Sequence, residues 1–147
     1  MSQTDPGTGG CLCGAVTVRA TLSDPSVQLC HCVQCQRWTG GGPLASVRVS
    51  DLDVTGLEGV ARYRASAWGE RVFCPTCGST LWWQMQGRPV AFIAVGLLDD
   101  QSGLEVRQEI FVDHRPGWLP AWPGAEQSTE AQELEALHAF LADEGAT

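Results

Sequence analysis

Positive charge is scarce in this chain of 147 residues. Nine Lys and Arg stand against 17 Asp and Glu, a formal net charge of -8. Nucleic-acid binding draws most of its affinity from cations that displace counterions along the phosphate backbone, so this balance argues against a nucleic-acid partner. A long apolar run is also missing: no segment reaches the roughly 20 apolar residues that cross a bilayer as a helix, and no membrane partner is expected. The opening MSQTDPGTGG has neither the positive n-region nor the apolar stretch of a secretory signal, and its Gly, Pro, Ser and Thr read as a flexible leader over residues 1–8. Without an export signal the expected location is cytoplasmic, where thiols stay reduced. An even set of cysteines is lacking too, and seven cannot all pair with one another. Together these absences turn the cysteines from disulfide candidates into metal-ligand candidates.

What is present fits one ordinary domain, long enough to bury a core, over residues 9–147, with a C-terminal loop and helix from about 124 onward. From Ala15 to Ala94 the chain runs in short segments rich in Val, Phe, Trp and Thr, separated by Gly, Pro and Asp. AVTVRA, PLASVRV, ARYRA, ERVFC, STLWWQ and PVAFIAVG each read as a strand, and QEIFV from Gln108 as one more. The fold class is therefore mainly β. HRPGWLPAWPG carries three prolines and two glycines and is expected to be an irregular loop, ordered or semi-ordered, for which Trp118 and Trp122 are the candidate anchors. Thr129 with Gln132 has the pattern of a capping box, and Leu134, Leu137, Phe140 and Leu141 recur at helical spacing before Gly145, so one short amphipathic helix closes the chain.

The cysteines fall in three groups: Cys11 and Cys13; Cys30, Cys32 and Cys35; Cys74 and Cys77. A zinc ion sits about 2.3 Å from each thiolate in tetrahedral geometry, so ligand sulfurs must lie within about 4 Å of one another. Neighbouring residues on one face of a strand are about 6.6 Å apart, so turns are required at the ligands. Gly9, Gly10 and Gly14 around the first pair, and Pro75 and Gly78 around the last, supply them. CPTCG is the most specific local signal for a metal ligand. Its alternatives are a buried apolar turn or a redox Cys-x-x-Cys, and the latter should open a helix, whereas strand-like STLWWQ follows here. Counting suggests a division of four and three: four thiolates close a structural site, and three leave one coordination position open. Cys30, Cys32 and Cys35 are close enough to fold around one ion by themselves. Cys11 and Cys13 would then meet Cys74 and Cys77, a cross-link closing a loop of about 60 residues.

GGCLCGAVTV, CHCVQCQRWTGG, SAWGERVFCPTCGSTLWW and IFVDHRPGW together resemble the glutathione-dependent formaldehyde-activating enzyme family, a zinc-binding family that includes centromere protein V-like members, over about Gly9 to Pro123. The resemblance implies a zinc-stapled, tent-like fold of antiparallel β-sheets. It also implies a structural zinc on Cys11, Cys13, Cys74 and Cys77 and a catalytic zinc on Cys30, Cys32 and Cys35. Trp38 stands where smaller or polar residues are common in the family, which implies a site mouth that is either narrower or tuned to another ligand.

A zinc held by three thiolates is a weak Lewis acid but can hold an incoming thiol as thiolate. The expected activity is that of a carbon–sulfur lyase, adding a thiol such as glutathione to a small aldehyde such as formaldehyde, with two Zn2+ per chain. His31, flanked by two ligands, is a candidate proton donor or a support for its neighbours. Arg37 and Arg71 are candidate contacts for the carboxylates of the thiol, and Trp38 for the wall of its site. The main alternative is a non-catalytic binding module in which both zincs are structural and a residue such as His114 closes the open position. A methionine sulfoxide reductase would need a cysteine free of metal, and seven ligands leave none. The tryptophan-rich tail is a candidate surface for a homodimer.

Overall fold

The computed structural model describes residues 7–145; the expected leader lies outside them except for Gly7 and Thr8. Nine strands and two helices follow in the order β1 (Gly7–Gly10), β2 (Thr17–Cys30), α1 (Val33–Thr39), β3 (Leu44–Thr55), β4 (Ala61–Tyr63), β5 (Gly69–Phe73), β6 (Thr80–Met85), β7 (Ala91–Ala94), β8 (Glu105–Ile110), β9 (Glu126–Ser128) and α2 (Glu130–Gly145). The mainly β class and the closing helix agree with the reading of the sequence. All seven expected strands are present, β2 and β3 being longer than anticipated. Helix α1 and strands β1 and β9 were not anticipated.

The chain divides into two compact units, residues 7–27 with 45–105 and residues 28–44 with 106–145. In the first unit the strand order is β4-β5-β6-β7-β3-β2, with β1 also paired to β2. The pairings of β1 with β2, β3 with β7, β4 with β5, β5 with β6 and β6 with β7 are antiparallel. β2 begins with strict alternation: Val18, Ala20 and Leu22 are buried while Thr17 and Arg19 are exposed. Val47, Val72, Leu81, Trp82 and Ile93 are almost fully buried and form the heart of this unit. Trp82 faces Ile93 across β6 and β7, and Trp83 meets Phe92 edge to face with centroids 6.1 Å apart.

The second unit is held by a different device. β8 and β9 pair in parallel, Gln108 against Glu126 through Ile110 against Ser128. The His31 amide donates to the Ile110 carbonyl at 3.0 Å. The capping box at α2 is present: the Thr129 amide donates to Gln132 Oε1 at 2.8 Å, and the Gln132 amide donates to Thr129 Oγ1 at 3.3 Å. The Glu130 amide, also at this helix start, donates to Asp113 Oδ1 at 3.0 Å. No helix among the described residues is long and apolar enough to cross a membrane.

Candidate metal centres

In the first unit the four sulfurs of Cys11, Cys13, Cys74 and Cys77 all lie within 4.8 Å of one another. Two hairpin-like turns bring them together. Cys11 donates its amide to the Val16 carbonyl at 2.9 Å, and Gly14 donates back to the Cys11 carbonyl at 3.1 Å. Cys74 likewise donates to Ser79 at 3.0 Å, and Gly78 to Cys74 at 2.7 Å. Gly14 and Gly78 occupy the left-handed region at φ 80° and 78°, which the glycine after each cysteine pair was expected to permit. Ser79, which the sequence reading missed, links the turns: its hydroxyl accepts from the Leu12 amide at 3.0 Å and lies 3.2 Å from the Cys77 sulfur.

The donor set fits a tetrahedral thiolate-bound ion. The edge of a tetrahedron with metal–sulfur bonds of about 2.3 Å is about 3.8 Å. The Cys11–Cys13 and Cys13–Cys74 sulfur separations are 3.7 and 3.8 Å, far beyond a disulfide bond of about 2.05 Å. The thiols are tuned unequally. Hydrogen bonds from the Ser79 hydroxyl and amide pull the Cys77 thiol down to about 5. For Cys13, the lowering by the Ala15 amide is overcome by burial and by the Cys11, Cys77 and Cys74 thiols, which push it up to about 11. Four sulfurs this close cannot all ionise until a cation joins them.

In the second unit Cys30, Cys32 and Cys35 form a cluster of three, their sulfurs again within 4.8 Å. Cys30 ends β2, Cys32 is the N-cap of α1, and Cys35 lies in its first turn. The Cys35 amide donates to the Cys32 sulfur at 3.3 Å, so a thiol takes the capping role usually filled by Ser or Asp. Cys30 and Cys35 are buried and Cys32 is partly exposed. Interactions with the Cys32 and Cys35 thiols, with burial added, raise the Cys30 thiol far above its ordinary value. No fourth His, Cys, Asp or Glu ligand joins this cluster among the described residues.

His31 stands between two of these cysteines and outside the cluster. Its side chain is 1% exposed, and its Nε2 lies 2.8 Å from Glu109 Oε1. Burial, which opposes ionisation of Glu109, is outweighed by the Trp122 amide, by His31 and by Arg115, and its pKa is lowered. The carboxylate can therefore only accept, and Nε2 carries the proton. Nδ1 is buried without a hydrogen-bond partner. Oε2 of Glu109 accepts from the Trp122 amide at 2.9 Å and from Gln127 Nε2 at 3.0 Å, with Arg115 Nη2 at 3.5 Å. Gln36 Nε2 donates to the carbonyls of His31 at 2.7 Å and His114 at 2.9 Å. Between these anchors Phe111 adopts φ 57° and ψ 42°, the left-handed region that a bulky residue rarely occupies.

Glu109 and Gln36 were missed from sequence. Glu109 immediately precedes the IFVDHRPGW segment, and nothing in QEIFV distinguishes it from a solvated strand glutamate. Arg37 and Trp38 sit on α1 with Cys35, Arg37 exposed and Trp38 half-buried. Arg71 lies in the first unit, buried on β5 opposite Trp83. His114 is directed to Glu130, with Nε2 3.5 Å from Oε1.

A mainly β protein with one four-thiol and one three-thiol cluster, each able to hold a metal ion, is the class that fold and site define. The chain belongs to the glutathione-dependent formaldehyde-activating enzyme family, which matches residues 6–114. It is 29% identical over 109 residues to an uncharacterized lyase of Schizosaccharomyces pombe, covering 74% of this chain and 80% of that one. It is 30% identical over 125 residues to a Halomonas elongata protein named as a candidate glutathione-dependent formaldehyde-activating enzyme, covering 76% and 78%. A crystal structure of a Rhodobacter sphaeroides protein aligns with TM-score 0.55 and 27% identity, over 67% of this chain and 90% of that one.

Proposed function

We propose that the chain is a zinc-dependent carbon–sulfur lyase that adds a glutathione-like thiol to a small aldehyde such as formaldehyde, and catalyses the reverse cleavage. What carries this reading is the unequal pair of clusters: four thiols, enough for one complete tetrahedral coordination sphere, and three, one fewer than such a sphere takes. The names of the family and of the two relatives support the same chemistry. Cys11, Cys13, Cys74 and Cys77 would hold a structural zinc, and Cys30, Cys32 and Cys35 a second, catalytic one. A reducing compartment such as the cytoplasm suits seven free thiols.

Zinc bound at the three-thiol centre would supply a coordination position at which a thiol loses its proton near neutral pH. In the reaction the thiolate sulfur forms a bond to the carbonyl carbon, the π pair of the carbonyl moves to oxygen, and that oxygen takes a proton, leaving a hemithioacetal. His31 is a poor donor for that proton, since its Nε2–H is committed to Glu109 and its side chain is 1% exposed; it acts as a support, and the proton comes from solvent. Arg37, exposed on α1 two residues beyond Cys35, offers a guanidinium to a carboxylate of the thiol, and Trp38 offers an apolar wall. Arg71, buried in the other unit, is the weaker candidate for this contact. The alternative of a closed structural site ligated by His114 finds no support, because His114 is engaged with Glu130 and lies outside the thiol cluster.

Calorimetric titration of the metal-loaded protein tests the proposal. Glutathione should bind at one site per chain, and formaldehyde added with it should give a further, catalysed heat. Absence of any heat with the thiol alone would sink the reading.

A further inference from the structure

We propose that Glu109 is the positioning residue of the three-thiol centre: through His31 it holds the Cys30–Cys35 turn in the form that keeps the sulfurs converged, and it ties that form to the C-terminal loop. The inference rests on reading the cluster as a metal centre, and is independent of the reaction assigned to it.

A carboxylate that is 1% exposed is unfavourable unless its lone pairs are satisfied. Those of Glu109 are met from four places in the second unit: His31 in the cysteine turn, Arg115 and the Trp122 amide in the Pro-rich loop, and Gln127 on β9. Apolar residues of similar size in place of Glu109 and its partners together would serve general stability as well, whereas removing Glu109 alone would strand four donors. What the ionised hub adds is one particular arrangement of the segments that donate to it.

His31 is the segment that matters for chemistry, because it is bonded through its backbone to both of its ligand neighbours. Its amide is fixed by Ile110, its carbonyl by Gln36 and its ring by Glu109, so the residue has little freedom to rotate. Cys30 and Cys32 are i and i+2, a spacing that an extended chain sets about 6.6 Å apart. Their sulfurs nevertheless lie within 4.8 Å of each other, with His31 as the residue between them where β2 ends and α1 is about to begin. A hydrogen bond that fixes the residue between the two ligands therefore acts on them without touching them.

The test is a chelator challenge of the metal-loaded protein, with release of the two ions resolved in time, on wild type, Glu109→Gln, His31→Leu and His31→Gln. Gln in place of Glu109 removes the charge and keeps a single acceptor oxygen, so its NH2 group must face either His31 or the donors Arg115, Trp122 and Gln127. Gln in place of His31 puts an amide N–H near the position of Nε2 while removing the imidazole. Glu109→Gln and His31→Leu should speed release from the three-thiol centre about tenfold or more and leave the four-thiol centre unchanged, whereas His31→Gln should stay within about threefold of wild type. Wild-type release from Glu109→Gln, equal acceleration at both centres, or His31→Gln as fast as His31→Leu would each overturn the proposal. If Glu109→Gln does not fold, Gln127→Leu removes a single donor and should speed release from the three-thiol centre about two- to threefold; no change would overturn it. Failure of glutathione to bind wild type would defeat the lyase reading and leave these release rates as they stand.

Discussion

Nε2 of His31 and Oε1 of Glu109 lie 2.8 Å apart, with both side chains 1% exposed, 78 positions apart in the chain. The bond joins the residue between two thiol ligands to the strand that leads into the IFVDHRPGW segment. A segment without a single cysteine thus contributes to the surroundings of the three thiols: Ile110 and His114 supply carbonyls, and Arg115 a guanidinium, to the network around His31 and Glu109.

Protein purified without chelator should carry two zinc ions per chain by elemental analysis, with seven thiols that titrate after denaturation without added reductant. One ion, or a protein rich in disulfides, would contradict the division into four and three.

Serine at Cys74 or Cys77 should strongly destabilise the first unit, because Cys74 is buried and binding energy at a closed thiolate site is folding energy. Serine at Cys32, which is partly exposed, should lower the melting temperature less while abolishing thiol binding. Equal melting losses in the two variants would argue that both sites are structural.

Cobalt in the three-thiol centre should change its visible spectrum when a small thiol enters the fourth position. Glutathione should bind more tightly than a thiol without carboxylates, by the roughly 1.5–3 kcal/mol of a charge-assisted bond. Arg37→Ala should erase that preference and keep the metal. A preference that survives Arg37→Ala and is lost in Arg71→Ala would transfer the role to Arg71.

On acidification the three-thiol centre should lose its metal first. Protons compete with metal for thiolates, so affinity falls as pH falls. Cys30, raised by its neighbours Cys32 and Cys35, recaptures a proton at the higher pH. The four-thiol centre is mixed, with Cys13 pushed up to about 11 and Cys77 held down to about 5 by Ser79, so Cys77 is the thiolate there that resists protons longest. Its depressed pKa favours the folded state, fully above the free-thiol value of 9.0 and no longer once pH has dropped below about 5. Metal release followed against pH should show two steps, and Ser79→Ala should move the lower step upward. A single step, or the reverse order, would contradict this assignment.

Much of this protein was determined by sequence alone, and for local reasons. Strand alternation in AVTVRA, the glycines that permit positive φ after Cys13 and Cys77, and the reciprocal bonds of Thr129 and Gln132 each act within a few residues, and the structure contains all three. The partition of the cysteines was also legible, because the valence and bond length of a thiolate-bound ion restrict how seven sulfurs can be shared. Helix α1 escaped because its seven residues, VQCQRWT, are too few to show a helical period, and its N-cap is a cysteine, read as a ligand alone. Only the tertiary structure decided what Glu109 does. A strand glutamate is ordinarily solvated, and burying one becomes favourable only when donors from distant segments converge on it, a condition that no stretch of local sequence encodes. The same holds for Arg37 and Arg71, equivalent by charge in the sequence, which folding leaves exposed on α1 and buried on β5.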